Sequence, residues 1–176
     1  MKKDFVIMIT GLILLILGIL FDNQIAGFFI QNQNQTLNII LQFITYLGSG
    51  YVVVPFFTLL FIIKDRSNIF RLWLAFAITL LISYFLKALV ARERPSGDDF
   101  RSFPSGHTIS VFTALPFAFK YGIRFGYAWI VFAFLILFTR IYLNQHYLTD
   151  VASSLLIGYT ISELILFLNK KRKINK

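Results

Sequence analysis

The sequence predicts an all-α, polytopic membrane protein, a bundle of six transmembrane helices with a chemically active end on the extracytoplasmic side. Three observations predict it. Hydrophobic residues make up 57% of the chain and charged residues only 14%, well outside the usual mixture of a soluble domain. The apolar residues fall into blocks near the length of about 20 residues that an α-helix needs to cross a hydrocarbon layer. Lysine and arginine are also shared unequally between alternate connections, as the positive-inside rule requires of a membrane bundle.

The first span is expected over 5–21, behind Lys2 and Lys3. No small-residue cleavage site follows Phe21, so this segment reads as a span and not as a secretory leader. A polar run, Gln31 to Gln35, comes next, and then Ile40, Phe43, Ile44 and Leu47 at helical spacing with Asn38, Gln42 and Thr45 between them. That stripe fits a helix lying in the interface, where it would roof a headgroup site, and equally a kinked lead into the next span before Gly48-Ser49-Gly50. Further spans are expected over 48–64, 69–91, 106–119, 124–143 and 147–168. The connections at 65–68 and 121–123 are short enough to force antiparallel neighbours. The whole chain, 1–176, reads as one membrane-embedded domain.

With six spans both termini share a side. Taking it as cytoplasmic puts Lys2, Lys3, Lys64, Arg66, Arg71, Lys120, Arg124, Lys170, Lys171, Arg172, Lys173 and Lys176 inside, and only Lys87, Arg92, Arg94, Arg101 and Arg140 outside. The formal charge of +9 therefore reports topology, with a weak attraction of the Lys170–Lys176 tail for lipid, and no nucleic-acid partner is needed to explain it. Trp73 and Trp129 fall near inner helix ends, where interfacial aromatics are common. Cysteine is absent, which excludes disulfides, thiolate catalysis and haem or iron–sulfur ligation by Cys.

Five cations on the side that should have few are an anomaly, and three of them sit in spaced motifs. Lys87 opens K-x6-R-P, which ends at Arg94-Pro95. Taken singly, Lys87 also suits a snorkelling anchor at a helix end. Pro104-Ser105-Gly106-His107 opens the fourth span, where a capping Ser and a Gly expose free amides and the positive end of the helix dipole to an anion. Thr139-Arg140 closes the fifth span, and His146 with Asp150 four residues later opens the sixth, giving T-R-x5-H-x3-D. An i, i+4 pair shares a helix face, so Asp150 is expected to fix the tautomer of His146 and leave its other ring nitrogen free to attack. Each motif alone is also consistent with a capped helix end or an interfacial histidine. Together they bring Lys87, Arg94, Ser105, Gly106, His107, Thr139, Arg140, His146 and Asp150 to one end of the bundle.

These three motifs, from Lys87 to Asp150, resemble the signature of the type 2 phosphatidic acid phosphatase superfamily, K-x6-R-P, P-S-G-H and S-R-x5-H-x3-D. The one departure is Thr139 in place of Ser. The resemblance implies an integral membrane, metal-independent phosphatase that needs no cofactor and no protein partner. It implies that His146 forms a phosphohistidine, that Asp150 orients it, and that His107 protonates the leaving oxygen and later activates water. Lys87, Arg94, Arg140 and the Ser105 and Gly106 amides would hold the phosphoryl oxygens, helped by the hydroxyls of Ser105 or Thr139. Glu93, Asp98 and Asp99 are expected to pair with Arg92 and Arg101 or to tune substrate choice. The substrates implied are lipid phosphates of the cell membrane, such as undecaprenyl diphosphate, phosphatidylglycerophosphate, phosphatidic acid or lipid A phosphates. A phosphotransferase passing the group to another acceptor and a non-catalytic carrier are the alternative readings.

Overall fold

The computed structural model describes residues 2–174, with side chains described for 3–168. The basic tail from Lys170 onward, expected to touch lipid, lies outside the described side chains. Seven α-helices follow one another: α1 (Lys2–Gln31), α2 (Gln35–Leu47), α3 (Gly50–Lys64), α4 (Ile69–Val90), α5 (Gly106–Tyr121), α6 (Ile123–Tyr142) and α7 (Leu148–Ile174). A single 3₁₀ turn, Arg66–Asn68, joins α3 to α4.

Four of these are long and apolar enough to cross a membrane, and a fifth qualifies if α2 and α3, bent by 47° at Gly48-Ser49, count as one broken span. The expected fourth span is α5, whose 16 residues reach about 24 Å, short of the hydrocarbon core. α1 is the largest departure from expectation: it runs for 30 residues and carries Asp22 into mid-helix instead of ending at Phe21.

α5 is the axis of the bundle. Every residue from Thr108 to Ala118 is buried, as befits a helix that is apolar on all sides and packed between α6 and α7. Contact with α7 is close because Gly158 has no side chain: a Cβ there would sit 2.8 Å from the Ile109 carbonyl and 3.0 Å from the Thr113 amide. Gly18 plays the same part between α1 and α7, where a Cβ would lie 2.6 Å from the Thr149 amide. Outward faces carry large apolar side chains such as Ile19, Ile63, Leu81 and Val131, which suits a surface solvated by lipid. In α2, Leu41 and Thr45 turn inward while Ile40 and Phe43 point away from the bundle. Trp129 is buried, donating from Nε1 to the Val111 carbonyl at 2.9 Å and packing edge-to-face with Phe57.

Candidate active site

The C-terminal ends of α4 and α6 and the N-terminal ends of α5 and α7 meet at one end of the bundle, and the expected residues gather there. α4 stops where Ala91 adopts a left-handed conformation (φ 43°), turning the chain into the loop that leads to α5. Lys87, one turn earlier, donates from Nζ to the carbonyls of Arg101 and Pro104, both at 2.8 Å. It therefore staples the loop, and one of its three ammonium protons remains for a ligand. Ser105 caps α5, accepting the Thr108 amide at 3.5 Å. That leaves the amides of Gly106 and His107, in the first turn, without an intrahelical acceptor.

Lys87, Arg94, Gly106 and His107 line one cavity of about 910 Å³, which continues between α3, α4 and α5 past Phe76 and Leu80 to Trp73 and Val54. Lys87 and Trp73 are fourteen residues apart on α4, so the cavity follows the helix for about 21 Å. Arg94 is held by Gln145 and by Asp99 at 3.5 Å. Arg140 is 7% exposed and bonds Thr45 Oγ1 at 3.3 Å. Each of these two arginines keeps a buried Nε with no hydrogen-bond partner among the described residues. Buried guanidinium donors of this kind suit an anionic acceptor.

The turn between α6 and α7 folds over the Arg140 carbonyl, which accepts the amides of Gln145 and His146 at 3.1 and 3.2 Å. Asn144 takes the left-handed conformation this turn requires (φ 52°). His146 thus sits beside Arg140, in the turn and not in α7, which corrects the expectation of a shared helix face. Its Nδ1 faces the Ser102 carbonyl at 2.5 Å, whereas Asp150 Oδ2 is 3.8 Å away. A carbonyl only accepts, so Nδ1 carries the proton and Nε2 keeps its lone pair. Burial pushes the His146 imidazole down to about 4, with Arg140 and Lys87 acting the same way and Asp150 opposing them.

Asp150 is fully buried at the third position of α7. Its Oδ2 accepts from the Tyr147 amide at 2.9 Å, as an acidic residue there does in a capping box, and from Ser102 Oγ at 2.5 Å. Its Oδ1 accepts from Arg92 at 2.8 Å.

Three expectations change. The Ser105 amide donates to Ser154 Oγ at 2.8 Å and its hydroxyl is buried under α5, so in this arrangement neither is open to a phosphate; the exposed amides are those of Gly106 and His107. Thr139 is also buried and donates to the Ile136 carbonyl at 2.6 Å, which leaves its hydroxyl engaged in its own helix. Arg92 pairs with Asp22 and Asp150, not with the loop carboxylates, while Arg101 does pair with Asp99, at 3.0 Å. Sequence reasoning missed Ser102, Arg92 and Asp22. Asp22 carries a signal as a lone carboxylate in a long apolar segment, and Arg92 as one of the five outer cations; Ser102 carries none.

A family model described as the PAP2 superfamily matches residues 68–174, more than half of the chain. An undecaprenyl-diphosphatase of Sulfolobus acidocaldarius is 29% identical over 161 residues, which cover 82% of this chain and 77% of that protein. The crystal structure of Aquifex aeolicus LpxE is similar with a TM-score of 0.73 and 28% identity, over 83% of this chain and 94% of that one. A PAP2-type phosphatidylglycerolphosphate phosphatase from Bacillus subtilis shares the fold, with a TM-score of 0.77 at 24% identity over 97% of this chain and 98% of that one. Its motifs, its apolar helices and these likenesses agree: the chain belongs to the PAP2 superfamily and is a multi-pass membrane lipid phosphatase.

Proposed function

We propose that this enzyme removes phosphate from a lipid phosphate or diphosphate whose tail stays in the apolar groove while its headgroup reaches His146. The observation that carries this reading is the pair of buried guanidinium Nε atoms, on Arg94 and Arg140, left unpaired beside a buried histidine with a free Nε2. A phosphoryl group supplies the acceptors that both arginines lack.

In the first step His146 Nε2 attacks phosphorus, the P–O bond breaks, and its electron pair leaves with the lipid oxygen, which takes a proton from His107. Nδ1–H stays on the Ser102 carbonyl, and the Asp150 carboxylate balances the positive charge that appears on the ring. In the second step water attacks the phosphohistidine, His107 takes the water's proton, and phosphate departs as Nε2 regains its lone pair. Lys87, Arg94, Arg140 and the first-turn amides of α5 bear the equatorial charge, the part that positioning and electrostatics play in phosphoryl transfer. This donor set is cationic, and Asp150 is already committed to Arg92, Ser102 and Tyr147, so the site supports metal-independent hydrolysis.

Six membrane crossings with both termini cytoplasmic, α5 being the short buried one, fit the charge asymmetry of the connections and put the site at the outer face of the cell membrane. Residues 1–176 then form one membrane-embedded domain. The groove past Phe76 and Leu80 supports a substrate with a long apolar tail, with undecaprenyl diphosphate, phosphatidylglycerophosphate and phosphatidic acid as candidates.

The test is phosphate release by the purified protein from a panel of lipid phosphates and diphosphates and from water-soluble phosphate monoesters. Release from the lipids alone, abolished in a folded His146→Ala variant, is the expected result. Unchanged turnover in that variant would remove the nucleophile assignment.

A further inference from the structure

A second set of charges lies behind the site, and the phosphate chemistry does not use it. Arg92 is a site-end cation whose guanidinium is engaged by two carboxylates and a hydroxyl of the protein itself. Its guanidinium stacks on the Tyr147 ring at 3.8 Å and is spent on protein acceptors: NH1 donates to Asp150 Oδ1 at 2.8 Å and to Thr149 Oγ1 at 2.6 Å, and NH2 to Asp22 Oδ2 at 2.9 Å. Asp22 comes from mid-α1 and also accepts the Thr149 amide at 3.0 Å and the Thr149 hydroxyl. It reaches the first turn of α7 because Gly18, one turn earlier on the same face, lets the two backbones touch.

We propose that Asp22 and Arg92 are positioning residues of the reaction, a carboxylate–guanidinium–carboxylate relay that fixes Asp150 and, through Ser102, the tautomer of His146. The inference rests on the reading of His146 as nucleophile. Arg92 holds both groups that face the imidazole. Its side chain fixes one oxygen of Asp150, and its backbone carbonyl accepts the Ser102 amide at 2.9 Å. Ser102 in turn presents its carbonyl to His146 Nδ1 and its hydroxyl to the other oxygen of Asp150. With Arg92 in place both oxygens of the Asp150 carboxylate are engaged, so the group cannot rotate away from the ring. The relay carries one net negative charge, which the imidazolium of the phosphoenzyme neutralises. Outer partners that orient a catalytic histidine act on turnover more than on substrate affinity.

The test uses the full-length protein in detergent, with short-chain phosphatidic acid and farnesyl diphosphate as probes, and reads kcat, KM, trapped phosphohistidine and Tm. Asp22→Asn and Arg92→Gln are each expected to lower kcat and phosphoenzyme formation by about tenfold or more, the scale of losing an outer-shell partner. KM should stay within about twofold, and the double variant should fall no more than about twofold below Arg92→Gln, because residues of one network are not additive. Arg92→Lys, which keeps the charge, should recover part of the loss. A raised KM with kcat preserved would overturn the inference by making Arg92 a substrate ligand. So would losses that multiply independently, or a lower Tm with kcat per folded molecule unchanged. Should Asp22→Asn fail to fold, Thr149→Val against Thr149→Ser carries the test, since only the former removes the hydroxyl that joins the two charges. Turnover in His146→Ala would sink the nucleophile reading itself; an inactive His146→Ala beside a fully active Asp22→Asn would sink the relay alone.

Discussion

Replacing Asp150 by Asn removes its charge and turns one of its two accepting oxygens into a donor, so the charge it supplies to His146 sets the least loss expected. The carboxylate oxygen stands 3.8 Å from Nδ1 of a ring that becomes cationic on phosphorylation. At an effective dielectric of about 20, two unit charges at that separation attract by about 4.4 kcal/mol. A ring bearing roughly half its final charge in the transition state would lose about 2 kcal/mol, and one bearing all of it the whole amount. The expected fall in kcat is therefore between about 40-fold and about 1,600-fold. KM should change little, because Asp150 is fully buried and bonded to Arg92, Ser102 and Tyr147. The assay is steady-state phosphate release from a short-chain lipid phosphate, with acid-labile phosphoenzyme trapped in parallel. A loss smaller than about threefold in a folded variant would refute the electrostatic argument, because even the half-charge estimate requires more.

His107→Ala should slow lipid alkyl phosphates far more than an aryl phosphate with an acidic leaving group, since acid assistance matters most for a basic leaving oxygen; equal losses on both would remove His107 from that role. The sign of the pH dependence follows from burial: the His146 imidazole titrates at about 4 and not near 6.5, so the nucleophile stays neutral as pH falls through 6 and 5 and protonates only below that. An acid limb near 6.5 in kcat/KM, at the same pH for substrates whose phosphate groups titrate differently, would contradict this. Gly158→Ala would drive a methyl group into the Ile109 carbonyl and the Thr113 amide. Overpacking against backbone at the α5–α7 contact should cost about 1–3 kcal/mol, read as a lower Tm in detergent, and an unchanged Tm would show that the two helices separate freely.

The helices were legible because lipid imposes a crude rule on sequence: α3, α4, α5 and α6 begin and end within two residues of their expected bounds. α1 escaped the rule. Its span is expected over 5–21, yet the helix runs on through Asp22, whose charge is neutralised by Arg92 and which accepts the Thr149 amide. The site was legible for a different reason. K-x6-R-P, P-S-G-H and T-R-x5-H-x3-D are local spacings, and each local spacing lies at one helix end. What spacing does not encode is which partner a polar group takes when several helix ends converge. Asp150 looked like the direct partner of His146 at i, i+4, yet the Ser102 carbonyl, 44 residues back in the chain, takes the ring proton. Ser105 and Thr139 have the right chemistry for phosphate, but in this structure they satisfy their own helices.

The five cations that broke the positive-inside pattern differ in what faces them, Lys87 meeting the loop carbonyls of Arg101 and Pro104. Arg92 meets two carboxylates and is saturated. Arg101 is largely exposed and rests on Asp99, which also reaches Arg94 at 3.5 Å. Arg101 and Arg94 hold the exposed Asp99 carboxyl below its ordinary range, so it stays charged and serves as an internal counter-ion for Arg94. Arg140 has no carboxylate within ion-pair distance among the described residues and keeps one donor unpaired, an arrangement that costs about 1–3 kcal/mol for a neutral group and more for a charged one. The proposed phosphoryl group would turn the same donors into charge-assisted hydrogen bonds. The saturated Arg92 behind His146 and the unsaturated Arg94 and Arg140 beside it divide positioning from binding.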